Sequence, residues 1–132
     1  MESAYISYCI DGYNQIKKEV VDLHSQLDEI KQEVQNIFSA PFGVDIVAPG
    51  LGMISIGLTE QTVLCFKSED LDEQLTAVGD DNAQGESTFY FGDYSVMSNK
   101  YLIPYDLGVD VINEWIKDGK LPSKIEWTVE IY

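Results

Sequence analysis

Apolar and polar positions alternate along this chain in two rhythms. From Asn14 to about Phe38 the apolar residues Ile16, Val20, Leu23, Leu27, Ile30, Val34 and Ile37 recur at intervals of four and three. That spacing predicts one N-terminal helix of about 25 residues, capped by Asn14 and closed before Pro41. The same stripe would serve as the seam of a coiled coil. With one long helix and several strands needing cover, we read it as the main core helix, and a homodimer through it stands as the alternative to a monomer. The second rhythm is that of strands. Ala4, Ile6, Tyr8 and Ile10 alternate with Ser3, Tyr5, Ser7 and Cys9, and Asp11-Gly12 forms a turn pair.

The middle of the chain reads as short strands and turns. Val44 to Ala48 is followed by Pro49-Gly50, Leu51 to Leu58 is returned by Thr62 to Lys67 as a hairpin, and Leu75 to Val78 adds a short extended piece. Ser68 to Glu73 and Gly79 to Ser87 read as acidic loops. Thr88 to Phe91 is strand-like, Gly92-Asp93 turns it, and Tyr94 to Lys100 reads as irregular.

Ile103 to Trp127 forms a compact device. Ile103-Pro104 ends an extended segment. A helix follows, with Asp106 near its positive end and Leu107, Val111, Ile112, Trp115 and Ile116 on one apolar face, while Asp110, Glu114, Lys117 and Asp118 take the wet face. Gly119 stands where a left-handed C-terminal cap belongs, and Pro122 prevents a restart. Ile125, Trp127, Val129 and Ile131 then alternate with Lys124, Glu126, Thr128 and Glu130 as a half-buried strand. Together these elements predict one α+β domain over residues 1–132. Its sheet is mostly antiparallel, with the long N-terminal helix and the C-terminal helix packed on one face.

Trp115-Ile116, Gly119, Pro122 and Trp127, in that order, resemble the C-terminal signature of the Imm1 family of bacterial immunity proteins. Gly57-Leu58, Val78-Gly79-Asp80 and Phe89 to Gly92 before Ile103-Pro104 extend the likeness upstream, so that it covers roughly Met53 to Trp127. The resemblance implies an antitoxin that binds the toxin domain of a bacterial competition system, often a nucleic-acid-directed deaminase or nuclease. It marks the fold and transfers no binding residues.

Charge sharpens the picture. The 132 residues carry 23 acidic against 8 basic side chains, a net charge of −15, and residues 60–93 hold nine acids against Lys67 alone, a net −8. Such a field repels nucleic acid and anionic membranes and draws in basic partners. The chain opens without a basic segment, and its longest apolar run, Ile46 to Leu58, is broken by Pro49, Gly50, Gly52 and Gly57. We expect neither secretion nor a membrane span, but a cytoplasmic protein whose Cys9 and Cys65 are small buried hydrophobes.

Chemistry is sparse. His24 is the only histidine, and together with two separated cysteines it makes no zinc set and no evident nucleophile–base pair. Asp80, Asn82, Gln84 and Gly85 start an EF-hand-like frame, but Phe91 occupies its twelfth place. We expect no catalytic residue, no metal and no cofactor. Binding remains, with Asp70, Asp72, Glu73, Asp80, Asp81, Glu86 and Tyr90 as the surface for a basic toxin C-terminal domain. The alternative is a small acidic ligand- or metal-binding domain that uses the 80–86 loop.

Overall fold

The N-terminal periodic stretch is divided between a strand and a helix. In the computed structural model, which describes residues 3–70 and 72–129, β1 (Tyr5–Tyr8) is followed by β2 (Ile16–Glu19), paired antiparallel with it. The turn between them is tied by Asp11. Its Oδ1 accepts the N–H groups of Tyr13 and Asn14, both at 2.8 Å, and its Oδ2 accepts the Asn14 side-chain amide at 2.8 Å. Asn14, expected to cap a helix, is therefore a turn residue. β-branched Ile16 and Val20 favour the extended state. The helix α1 (Leu23–Glu33) starts only at Asp22, whose carboxylate accepts the Ser25 N–H. The Gln26 side chain reaches back to accept the N–H groups of Val21 and Asp22. The expected helix of about 25 residues is thus 11 residues long. Leu23, Leu27, Ile30 and Val34 are buried within the molecule, so this stretch is core rather than a coiled-coil seam, while Ile37 lies outside it, 54% exposed.

The hydrogen bonds at Asp11 hold its carboxyl down at about 2. A folded pKa below the ordinary value of 3.8 contributes stability that is complete above about pH 4 and is lost as pH falls toward 2. Acid also relieves the self-repulsion of a chain at −15, so the contribution is read by difference. Between pH 4 and pH 2 the melting temperature of Asp11→Asn should fall less than that of the unaltered protein. Parallel curves would remove Asp11 from the acid response.

The remaining strands are β3 (Gly43–Ala48), β4 (Gly52–Gly57), β5 (Gln61–Thr62), β6 (Leu64–Ser68), β7 (Gln74–Val78), β8 (Glu86–Tyr90), β9 (Tyr94–Ser98), β10 (Ile103–Pro104) and β11 (Glu126–Thr128). The second helix is α2 (Tyr105–Asp118). Seven strands form a sheet in the order β11-β7-β6-β4-β3-β1-β2, every neighbouring pair antiparallel. The expected hairpin is present as β4 against β6, with Ile54 opposite Phe66. Between them β5 leaves the sheet and pairs with β10. Thr62 makes that detour: fully buried, its hydroxyl donates to Gly57 O at 2.6 Å and accepts the Gly57 N–H at 2.9 Å. Thr62→Val takes the partner from the Gly57 N–H and leaves Gly57 O with the Thr59 N–H alone, and should cost about 1–3 kcal/mol. Thr62→Ser should restore most of it in a urea titration, and equal losses for both variants would count against the hydrogen bonds.

The period of two turns Ile6, Val44, Ile46, Ile54, Ile56, Leu64 and Phe66 to one face, where Leu23, Leu27 and Ile30 of α1 and Val111, Ile112 and Trp115 of α2 complete the main core. The other face carries a second core of Val63, Phe89, Met97 and Tyr101, seated under the β8–β9 hairpin. Tyr94 to Ser98, expected to be irregular, is the second strand of that hairpin. Its exposed side holds Tyr94 and Val96, each 51% exposed, and its inner side holds Ser95 and Met97, so apolar residues on both sides conceal the alternation.

The C-terminal device is close to its expectation. Asp106 is in the first turn of α2, and Gly119 caps it in a left-handed conformation at φ 78°, its N–H bonded to Trp115 O at 2.9 Å. The last strand is shorter than predicted. Ile125 and Trp127 are half-buried against the main core, but Val129 is 75% exposed; Glu130 and Ile131 lie outside the described residues.

Candidate protein-binding surface

All nine acidic residues of the 60–93 stretch are exposed. The fold does not gather them into one patch. Glu69, Asp70, Asp72 and Glu73 lie in the turn between β6 and β7, and Asp80 and Asp81 lie in the loop after β7. Those are opposite ends of one strand. At about 3.3 Å per residue they are roughly 20 Å apart.

The first group adjoins the β3–β4 turn through Glu69 and Asp70. Glu69 Oε2 accepts the Gly50 N–H. Asp70 Oδ1 accepts the Ser68 hydroxyl at 2.7 Å and the Asp72 N–H at 3.0 Å, and these bonds lower its pKa. Asp72 and Glu73 project from the same exposed turn.

The second group is anchored to the short 3-10 turn at Asn99–Tyr101. The N–H groups of Gly79 and Asp80 both donate to Lys100 O, and the Asn99 side-chain amide donates to Gln84 O at 2.8 Å. Asp80 Oδ1 accepts the Asn82 N–H at 2.9 Å, so this carboxylate shapes its own loop while Asp81 stands clear. Glu86 opens β8, opposite Ser98. Among the described residues no three His, Cys, Asp or Glu side chains converge as metal ligands would.

Tyr90 belongs elsewhere. Expected at the interface, it is half-buried in a stack of rings, 4.3 Å from Phe38 and 6.1 Å from Phe42 between centroids, with Tyr94 edge-on at 5.0 Å. Its N–H bonds Pro41 O at 2.8 Å. It fastens the hairpin to the chain before β3.

A groove that the sequence reading missed adjoins the first acidic group. It is open, about 700 Å³, and runs between the start of β1, the end of β2, the β3–β4 turn and the last turn of α2. Ala4, Val20, Leu51 and Ile116 form an apolar floor, each only partly buried by the main core, and Glu19 and Asp118 stand at its rim with Lys117. A smaller depression lined by Gly50, Leu51, Ser68, Glu69 and Asp70 continues it to the acidic turn. No linear motif joins these residues, which come from four elements. One local signal exists: Asp118 ends a helix, where a carboxylate opposes the dipole. Asp118→Asn should therefore raise the melting temperature slightly, and a fall would assign Asp118 a structural role.

His24, which the sequence reading left without a partner, meets Asp106 of α2 at 3.2 Å, with the Tyr105 ring edge-on at 6.0 Å. Asp28, Lys31 and Glu60 share this open cleft, whose volume is about 370 Å³. The Tyr105 hydroxyl is buried, and burial followed by the nearby Asp28 and Asp106 pushes its pKa up. His24 and Asp106 are 46% and 84% exposed, so the pair contributes at most about 1 kcal/mol. Of the two cysteines, Cys65 packs on the second core, and burial pushes its thiol up to about 11. Both cysteines are only half-buried, which corrects their expected place in the core, and Cys9 Sγ lies 3.7 Å from Asp11 Oδ1.

Among the described residues no helix is long and apolar enough to cross a membrane. A scan of the chain against protein-family models finds no match, and a search of curated proteins finds none either.

Proposed function

We propose that this chain is a cytoplasmic immunity protein of the Imm1 type, which binds the C-terminal toxin domain of a bacterial competition system and covers its basic substrate cleft. The observation that carries this reading is the exposure of all nine acids between residues 60 and 93, with one lysine among them. A toxin that acts on nucleic acid must hold phosphate with basic residues. A field of carboxylates then accelerates encounter and displaces the substrate from the same charges. The arrangement of the quoted residues also supports the resemblance. Gly119 caps the helix that carries Trp115, and Trp127 Nε1 donates to Pro122 O at 3.2 Å, so the C-terminal signature forms one structural unit.

The test uses the polypeptide encoded immediately upstream. Its C-terminal domain, titrated with this protein by calorimetry, should bind tightly, and raising the salt should weaken binding by about tenfold or more. Absence of binding at low and high salt would falsify the immunity reading. The two acidic groups are then separable. Asp72→Lys with Glu73→Lys alters one end of β7, and Asp81→Lys with Glu86→Lys alters the other. One pair should slow association while both proteins melt as the unaltered chain does. Equal effects from both pairs would mean that net charge acts without a defined interface.

A further inference from the structure

We infer that the groove between the β3–β4 turn and the end of α2 is a docking site for a basic, apolar-tipped segment of a partner protein. The inference deepens the proposed function and rests on it only for the basic character of the partner. Two observations meet here. The floor is apolar and incompletely covered, because Ala4, Val20, Leu51 and Ile116 each keep part of their surface open. The rim is acidic: Glu19 and Asp118 line the groove, and Glu69 and Asp70 line its continuation, against Lys117. Asp72 and Glu73 follow in the same exposed turn.

Charge complementarity selects the occupant. A desolvated apolar centre inside a charged rim is the plan of a protein–protein contact, in which an anchoring side chain supplies the affinity and the rim supplies orientation and speed. A leucine- or phenylalanine-sized side chain fits on Val20, Leu51 and Ile116, with lysines or arginines to either side facing Glu19, Asp118 and Glu69. The β3–β4 turn is suited to hold this shape, because Glu69 fastens it through the Gly50 N–H. In the 79–86 loop, by contrast, Asp80 and the Gln84 side chain bond within the loop, and the Asn99 side chain ties Gln84 O to the 3-10 turn.

The test is nuclear magnetic resonance on the whole, isotope-labelled chain, titrated with a short synthetic peptide of lysines and arginines around two central leucines. Amide shifts should concentrate at Val20, Leu51, Ile116 and Gly119. Replacing the two leucines by serine should weaken binding about tenfold, as should raising the salt. Glu19→Lys with Asp118→Lys, both exposed, should weaken it similarly while the melting curve stays cooperative. Shifts centred on residues 79–86, shifts spread over every acidic turn, or none would overturn the docking site. Peptide docking in the groove without binding of the upstream toxin domain would overturn the immunity reading alone. Toxin binding indifferent to Glu19→Lys with Asp118→Lys would overturn the groove alone.

Discussion

Trp115→Ala should lose about 3–5 kcal/mol of stability, the usual cost of emptying a buried tryptophan site. Trp115 is 1% exposed and meets the Phe66 ring edge-on at 5.9 Å, so its indole packs α2 against β6 of the sheet. α2 also carries Val109, Val111 and Ile112 into the same core, all fully buried. A cavity there has rigid walls on the sheet side and cannot collapse without moving the helix. Domains of this size have about 5–15 kcal/mol in total. The melting temperature should fall by roughly 10–20 °C, and the variant should stand near the margin of folding. Trp115→Phe, which keeps an aromatic ring against Phe66, should lose less than half as much. Equal losses for the two variants in a urea titration would show that ring packing is not what the site requires.

Gly57→Ala should unseat the β8–β9 hairpin. A Cβ on Gly57 would lie 2.6 Å from the Phe89 ring, and Phe89 is 1% exposed, held by Val63, Met97 and Tyr101. Phe91 rests in the same way on Gly43, at 2.0 Å from where its Cβ would be. The two glycines are hollows in the sheet into which the hairpin's rings descend. Overpacking of this kind costs about 1–3 kcal/mol. The loss should be local: hydrogen exchange should quicken in Glu86–Tyr90 and Tyr94–Ser98 while Ile54 and Ile56 stay protected. Phe89→Leu placed with Gly57→Ala should recover part of the loss by giving the new methyl room. Uniform loss of protection across β4 and the hairpin would mean that the second core is not a separable unit.

The same places show what a linear reading can reach. α2 was legible from Ile103 to Gly119 because each of its signals is local: a proline before it, an acid in its first turn, an apolar period of 3.6 and a glycine after it. The N-terminal helix was misjudged because Ile16 and Val20 fit the stripe of Leu23, Leu27 and Ile30 by spacing alone. The competing signals, Asp11 fastening a turn and Asp22 with Gln26 capping a later start, concern single hydrogen bonds that periodicity does not register. β9 was hidden because Tyr94 and Val96 face outward. Tyr90, chosen for its chemistry among acidic loops, is held in a ring stack by Phe38 and Phe42, residues about 50 positions away along the chain.

By itself the sequence determined the fold class, the C-terminal helix and its cap, the antiparallel strands of the middle and the concentration of negative charge. All of these depend on neighbours within a few residues or on composition. Tertiary structure alone decided where that charge stands. β7 separates Glu73 from Asp80, and the closure of β1, β2, the β3–β4 turn and α2 around one groove brings Glu19 and Asp118 beside Leu51. A binding surface is a property of distance in space. In an antiparallel sheet, residues a strand apart in sequence lie at opposite ends, while residues a hundred positions apart become neighbours.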